Sequence, residues 1–204
     1  MSESGGIRSA RAAAIAEVSA CCDLKERVAL VPPSAMIRGQ YFRAIEAALS
    51  DPGKAARYRA LFPERRSALG WYPVRDFLPC LTVGAAILRS PERVHDGMFQ
   101  LGRGNAKMFT ESVLGRLMLR LLSRDPQRAL RQALAGRRQS ARPARWELSF
   151  PEERMAVMSL IEEYGYIESY MLGAAHGTFE MIAVPVRIEC VLEDRFTGKH
   201  IFRW

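Results

Sequence analysis

Apolar residues in this 204-residue chain change their spacing near residue 146, with one helical stretch after it, and that change limits the folds open to it. Before it they recur at intervals near three, four or seven, the period of a helix buried along one side. Tyr41, Ile45 and Leu49 mark one such stripe; Val94, Met98, Leu101, Met108, Val113, Leu117 and Leu121 mark a longer one. After it they alternate. Trp146, Leu148 and Phe150 alternate with Glu147 and Ser149, Val186, Ile188, Cys190 and Leu192 with Arg187 and Glu189, and His200, Phe202 and Trp204 with Ile201 and Arg203. Helices first and strands later is the pattern of an α+β domain. The expected fold is a helical N-terminal part packed on a small, mainly antiparallel C-terminal sheet.

Turn and capping residues divide this pattern into elements. Ser90-Pro91-Glu92 and Asp125-Pro126 each place a capping side chain before a proline, which suits the first helical position. Asp51-Pro52-Gly53 turns the chain into a basic helix over residues 54–61, and residues 74–88 read as a buried helix kinked at Pro79. Pro32 and Pro33 limit the apolar run 28–37 to a short edge strand. Gly136 is expected to close the helix that Asp125 opens, leaving 137–145 as a flexible loop. Residues 156–161 would pair as a hairpin with the Trp146 strand, and 164–183 would form a last helix. Gly97, Gly102, Gly104 and Gly115 interrupt the long stripe, each costing about 1 kcal/mol against alanine in a helix interior. Close helix crossing and room for a ligand are both reasons for them. The expected organisation is an arm with the first strand over 1–35 and one α+β domain over 36–204.

Thirty Lys and Arg against 22 Asp and Glu leave a net charge of +8. Much of the excess lies in Arg120, Arg124, Arg128, Arg131, Arg137, Arg138, Arg142 and Arg145, with Asp125 the single acid among them. Arg128, Arg131, Arg137 and Arg138 are the expected patch for an acidic protein partner. Nucleic acid ranks below it, because no helix-turn-helix pattern surrounds these residues. Self-association into a homodimer is a further expectation. No run reaches the roughly 18 apolar residues of a membrane span. Arg8, Arg11 and Glu17 stand where a secretory signal would have an uncharged core, so a cytoplasmic location is expected. Cys21, Cys22, Cys80 and Cys190 have no metal-ligand spacing and read as free thiols, with no metal site.

Catalysis by acid-base or nucleophilic groups needs a positioned base beside a nucleophile or second acid. The three histidines, His95, His176 and His200, share no such spacing with each other or with a nucleophile. Glu152-Glu153, Glu162-Glu163 and Glu168 read as solvated charge, and Gly102-Arg103-Gly104-Asn105 lacks the strand, third glycine and lysine of a phosphate loop. The expectation is a non-catalytic binding domain. Met98, Leu101, Met108 and Phe109 on the long helix, with Met171 and His176 on the last, are its expected pocket for a small apolar ligand.

Three stretches also carry a resemblance. Arg38-Gly39 followed by Tyr41, Phe42 and Ile45, then Trp71-Tyr72-Pro73, then residues 98–109 with Gly115-Arg116 after them, resemble an uncharacterised paralogous family of myxobacterial proteins. More distantly, residues 36–204 are similar to the haem-nitric-oxide-binding and vinyl-reductase-like sensor domains. That resemblance implies a small-molecule sensor with an apolar pocket between helices and sheet. Haem-binding members carry a proximal histidine and a Tyr-x-Ser-x-Arg motif. The matching stretch 125–131 holds no histidine, and the motif is missing between Arg145 and Gly173. Zinc-binding members cluster cysteines near the C-terminus, where only Cys190 stands. On this footing neither haem nor zinc is expected as a cofactor.

Overall fold

Asp125 acts as the helix cap its position suggests, in a computed structural model that describes residues 3–111, 124–143 and 145–204. Asp51, read as part of a turn, caps a helix as well, and Ser90, expected to cap, makes no side-chain cap bond before its 3₁₀ turn. The Asp51 carboxylate accepts the Lys54 N–H at 2.8 Å and opens a helix at Pro52. The Asp125 carboxylate accepts the Arg128 N–H at 3.1 Å and opens one at Pro126. Each satisfies an N–H that the first helical turn leaves without a partner. The fold is α+β, and the chain divides into two compact units, Met1–Met98 and Phe99–Trp204.

The first unit gathers helices around α5, Val74–Leu88, whose Phe77, Leu78, Leu81 and Ala85 are fully buried. Helices α1 (Glu3–Ser19) and α2 (Leu24–Leu30) lead the chain in, and α3 (Gln40–Ala48) and α4 (Pro52–Leu61) follow strand β1 (Met36–Arg38). Strand β2 (Trp71–Pro73) pairs antiparallel with β1, setting Ile37 opposite Tyr72. Phe42 of α3 meets Phe77 and Tyr72 edge-on at centroid distances of 5.3 and 5.7 Å, the arrangement that opposes ring edge to ring face. Residues 1–35, expected as an arm with the first strand, lie within this unit. Val18 and Leu24 are buried, and the Arg11 Nε–H donates to the Leu61 carbonyl at 2.7 Å. The apolar run expected as a strand starts inside α2, and its strand is limited to Met36–Arg38.

A 3₁₀ turn, Pro91–Arg93, leads into α6, Val94–Glu111. Val113, Leu117 and Leu121, the last positions of the long stripe, and Gly115-Arg116 lie outside the described residues. In the second unit α7 (Pro126–Ser140) is followed by the two-residue strand β3 (Ala141–Arg142) and by β4 (Arg145–Glu152) and β5 (Met155–Ile161). Helix α8 (Leu172–Met181) follows, then β6 (Arg187–Leu192) and β7 (Gly198–Arg203). The last four strands form one antiparallel sheet in the order β4-β5-β7-β6. Register places Trp146 opposite Leu160, Ala156 opposite Phe202 and Cys190 opposite His200, so the alternating residues fall on one face. Phe179 of α8 stacks on Phe202 of that face at 5.5 Å.

Three boundaries differ from expectation. Helix α7 continues through Gly136 to Ser140, because Arg137 is anchored in the core and the Ser140 hydroxyl donates to the Gly136 carbonyl at 2.8 Å. The segment expected as a flexible loop is therefore the end of a helix, a short strand, a cis Arg142–Pro143 bond and the start of β4. The last helix starts later than its apolar stripe, with a π-helical turn at Ile167–Met171. Leu192, expected on the inner face, is 47% exposed at the end of β6.

Candidate functional site

The glycines of α6 and α8 bring two backbones into contact. A Cβ on Gly102 would collide with the Tyr170 carbonyl oxygen, and one on Gly173 with that of Phe99. Only a residue without a side chain fits either place. Of the two reasons for glycine in the long helix, close crossing is the one Gly102 serves. Around the crossing, side chains of α6 pair with those that follow Tyr166. Phe99 lies against His176 with ring centroids 5.4 Å apart. The Asn105 amide donates to the Tyr170 hydroxyl at 2.6 Å, and Arg103 pairs with Glu180 at 2.7 Å.

Of the residues expected to line a pocket, Met98, Leu101 and Met171 are buried and His176 is half-buried. The side chains of Met108 and Phe109 lie outside the described residues. His176 is joined by Phe99, and Asn105, Arg103, Tyr170 and Glu180 complete the polar rim of the crossing. Sequence reasoning did not single out these partners, since they are 65 to 77 residues apart along the chain. The one sequence signal for the contact was the set of glycines in the long helix, for which close crossing was one of the two reasons given. Burial is the main cause lowering the His176 pKa, with Glu180 opposing and Arg103 reinforcing it. Near pH 7 the imidazole is therefore neutral, the form that can coordinate or accept a hydrogen bond.

A second polar group is buried beneath the sheet. Arg137 of α7 meets Glu163 through its Nε and a terminal nitrogen at 3.0 and 2.6 Å. The Trp146 indole N–H donates to the same carboxylate at 3.1 Å, and the Gly165 backbone N–H at 2.9 Å. Glu163 is not the solvated acid that its sequence suggests, and Arg137 is not part of an exposed patch. Both are buried because each charge is met by several hydrogen bonds, the condition for taking an ion pair out of water. Arg128, Arg131 and Arg138 are exposed. Nearby, the His200 ring Nε2 stands 3.1 Å from the Ile167 carbonyl. A carbonyl only accepts, so this nitrogen carries the proton, and burial pushes the His200 pKa down to about 4. Among the described residues no His, Cys, Asp and Glu cluster could hold a metal ion, and no helix is long and apolar enough to cross a membrane.

Residues 30–156, more than half of the chain, match the family model described as protein of unknown function (DUF2378). The chain belongs to the DUF2378 family. No curated protein matches it in sequence. Its fold, however, is shared with solved structures. The Fe(II) unliganded H-NOX protein of K. algicida is similar to this DUF2378 chain at 15% identity and a TM-score of 0.55, covering 82% of this chain and 96% of its own. An oxygen-binding H-NOX domain related to soluble guanylate cyclases, solved as its oxygen complex, is similar at 15% identity and a TM-score of 0.55, covering 81% and 91%. A structure solved to study modulation of haem redox potential through protein-induced porphyrin distortion is similar at 16% identity and a TM-score of 0.54, covering 82% and 100%. At these identities the likeness establishes an H-NOX-like fold.

These structures correct the expectation that the DUF2378 chain uses no cofactor. It rested on the lack of a histidine over 125–131, whereas proteins described by their haem and Fe(II) share this fold at about the same low identity. A haem iron takes an axial donor such as a neutral imidazole with an open side. His200 is closed to that role by burial and by its bond to Ile167, and His95 is exposed on the first turn of α6. Were haem bound, His176, half-buried, would be the histidine able to supply the donor nitrogen.

Proposed function

We propose that this chain is a sensory domain that binds a small molecule. The observation that carries this reading is the H-NOX-like fold, which extends over 81–82% of the chain and nearly all of each similar structure. The α6–α8 crossing supports it from within the second unit. Leu101 and Met171 supply buried apolar surface, Phe99 an aromatic face, and His176 a neutral nitrogen at the edge. Such a mixture holds a small ligand by burial and orients it by one polar group. Sensing, on this reading, is a ligand-dependent change of stability at the crossing passed to a partner, with no bond made or broken by the chain.

Thermal unfolding tests the proposal. A ligand that binds only the folded state adds about 2.7 kcal/mol at a hundred-fold excess over its Kd. Added haem, or a small apolar probe, is expected to raise the melting temperature of the full chain. His176→Ala and Phe99→Ala are expected to fold and to lose most of that rise. A panel of haem and apolar probes that leaves the melting temperature unmoved counts against the proposal, as does an equal rise in both variants.

A further inference from the structure

Helix α7 contains no aspartate or glutamate, and its two sides differ. Ala129, Leu130, Arg137 and Ser140 are buried on one, whereas Arg128, Arg131 and Arg138 are exposed on the other. We propose that this exposed side is a docking surface for a short acidic segment of a partner protein. The inference rests on α7 and the hairpin beside it, and does not depend on the ligand reading.

Two of the guanidinium groups are held in place before any partner arrives. That of Arg131 lies over the Phe150 ring at 4.6 Å and donates to the Gln127 side-chain oxygen at 3.2 Å. Arg138 donates to the Trp146 carbonyl at 3.3 Å. Among the described residues none of the three arginines is paired with a carboxylate. Fixed guanidinium groups lose less rotamer freedom on binding than free ones, and their planar donors match the two oxygens of a carboxylate.

The extent of the surface selects the partner. Three cations over about 15 Å of helix suit carboxylates spaced one turn and two turns apart on another helix. A nucleic acid duplex needs roughly six or more phosphate contacts for strong binding. It would also have to pass Glu152 and Glu153, exposed at the β4–β5 turn, whose Glu153 carbonyl takes a hydrogen bond from Gln127 at 3.4 Å. Those carboxylates lie beside the start of α7, among the exposed Arg124 and Arg154, and interrupt the positive charge that a continuous polyanion would follow.

Fluorescence anisotropy of the full chain tests this. The probes are a labelled helical peptide with glutamates at three- and seven-residue spacing, a scrambled peptide of equal composition, and a duplex DNA. The matched peptide is expected to bind best and to weaken with salt. Combined Arg128→Gln, Arg131→Gln and Arg138→Gln substitution is expected to weaken it about ten-fold. Arg187→Gln with Arg203→Gln, on the sheet, is expected to leave it unchanged. Replacing the three arginines by glutamate is expected to transfer preference to a peptide with lysines at the same spacing, a gain that a misfolded variant would not show. Tighter binding of the duplex, equal binding of the scrambled peptide, no peptide binding, or an unaffected triple variant would each overturn the proposal.

Discussion

Glu163 and Glu180 both pair with arginine, and their surroundings give the two pairs different weight. The Arg137 and Glu163 side chains are 9% and 1% exposed, and those of Arg103 and Glu180 are 47% and 50% exposed. Removing one partner of a buried pair strands the other charge, at about 3–5 kcal/mol, whereas an exposed pair contributes about 0–1 kcal/mol. Chemical denaturation should therefore show Glu163→Gln strongly destabilised and Glu180→Gln nearly neutral. Equal losses would mean that Glu163 is solvated. His200 makes a second prediction. Its unfolded pKa is the ordinary 6.5 and its folded pKa about 4, so between these values the unfolded chain binds more protons. The stability that the neutral ring supplies is complete above about pH 6.5 and is lost as pH falls towards 4, a difference on the order of 3 kcal/mol. His200→Gln should flatten the fall of melting temperature over that range. None of this was legible in the sequence. Glu162-Glu163 reads as two surface acids, and what buries the second is Arg137, 26 residues earlier and itself in a run that reads as solvated.

At the scale of elements, the start at Asp125 was legible, whereas Ser90 makes no side-chain cap, the last helix starts late, and the end at Gly136 was misplaced. Asp51 and Asp125 act through their immediate neighbours, so four residues contain the whole signal. Gly136 shows the opposite case. A glycine near a helix end reads as a stop, yet α7 runs past it because the Arg137 side chain is anchored on another element. Two glycines then separate two physical roles. Nothing lies within 4 Å of a Cβ built on Gly136, so Gly136→Ala should stabilise by about 0.5–1 kcal/mol through the lost freedom of the unfolded chain. A Cβ on Gly102 meets the Tyr170 carbonyl, and Gly102→Ala should destabilise by about 1–3 kcal/mol or more. Paired denaturation curves of the two variants check the signs. A neutral Gly102→Ala would mean that α6 and α8 do not cross in contact.

At the scale of the whole molecule, the switch from helical to alternating spacing is enough to read an α+β fold, because each period is set by the chain's own geometry. The sheet order β4-β5-β7-β6 was half legible: its hairpins join neighbours in sequence, while the pairing of β5 with β7 reaches across the last helix and β6. The division at Met98 was not legible, since it falls inside the continuous stripe of α6 and no linker composition marks it. The cofactor question was also beyond the sequence, because a ligand site is assembled from distant residues and one missing histidine does not decide it. Native mass spectrometry of the purified chain, recorded with its absorption spectrum before and after addition of haem, tests the ligand-binding claim most directly. The account predicts one small molecule per chain, carried through purification or taken up on addition, with a Soret band where that molecule is haem. A bare polypeptide mass under both conditions, with no Soret band, would contradict it.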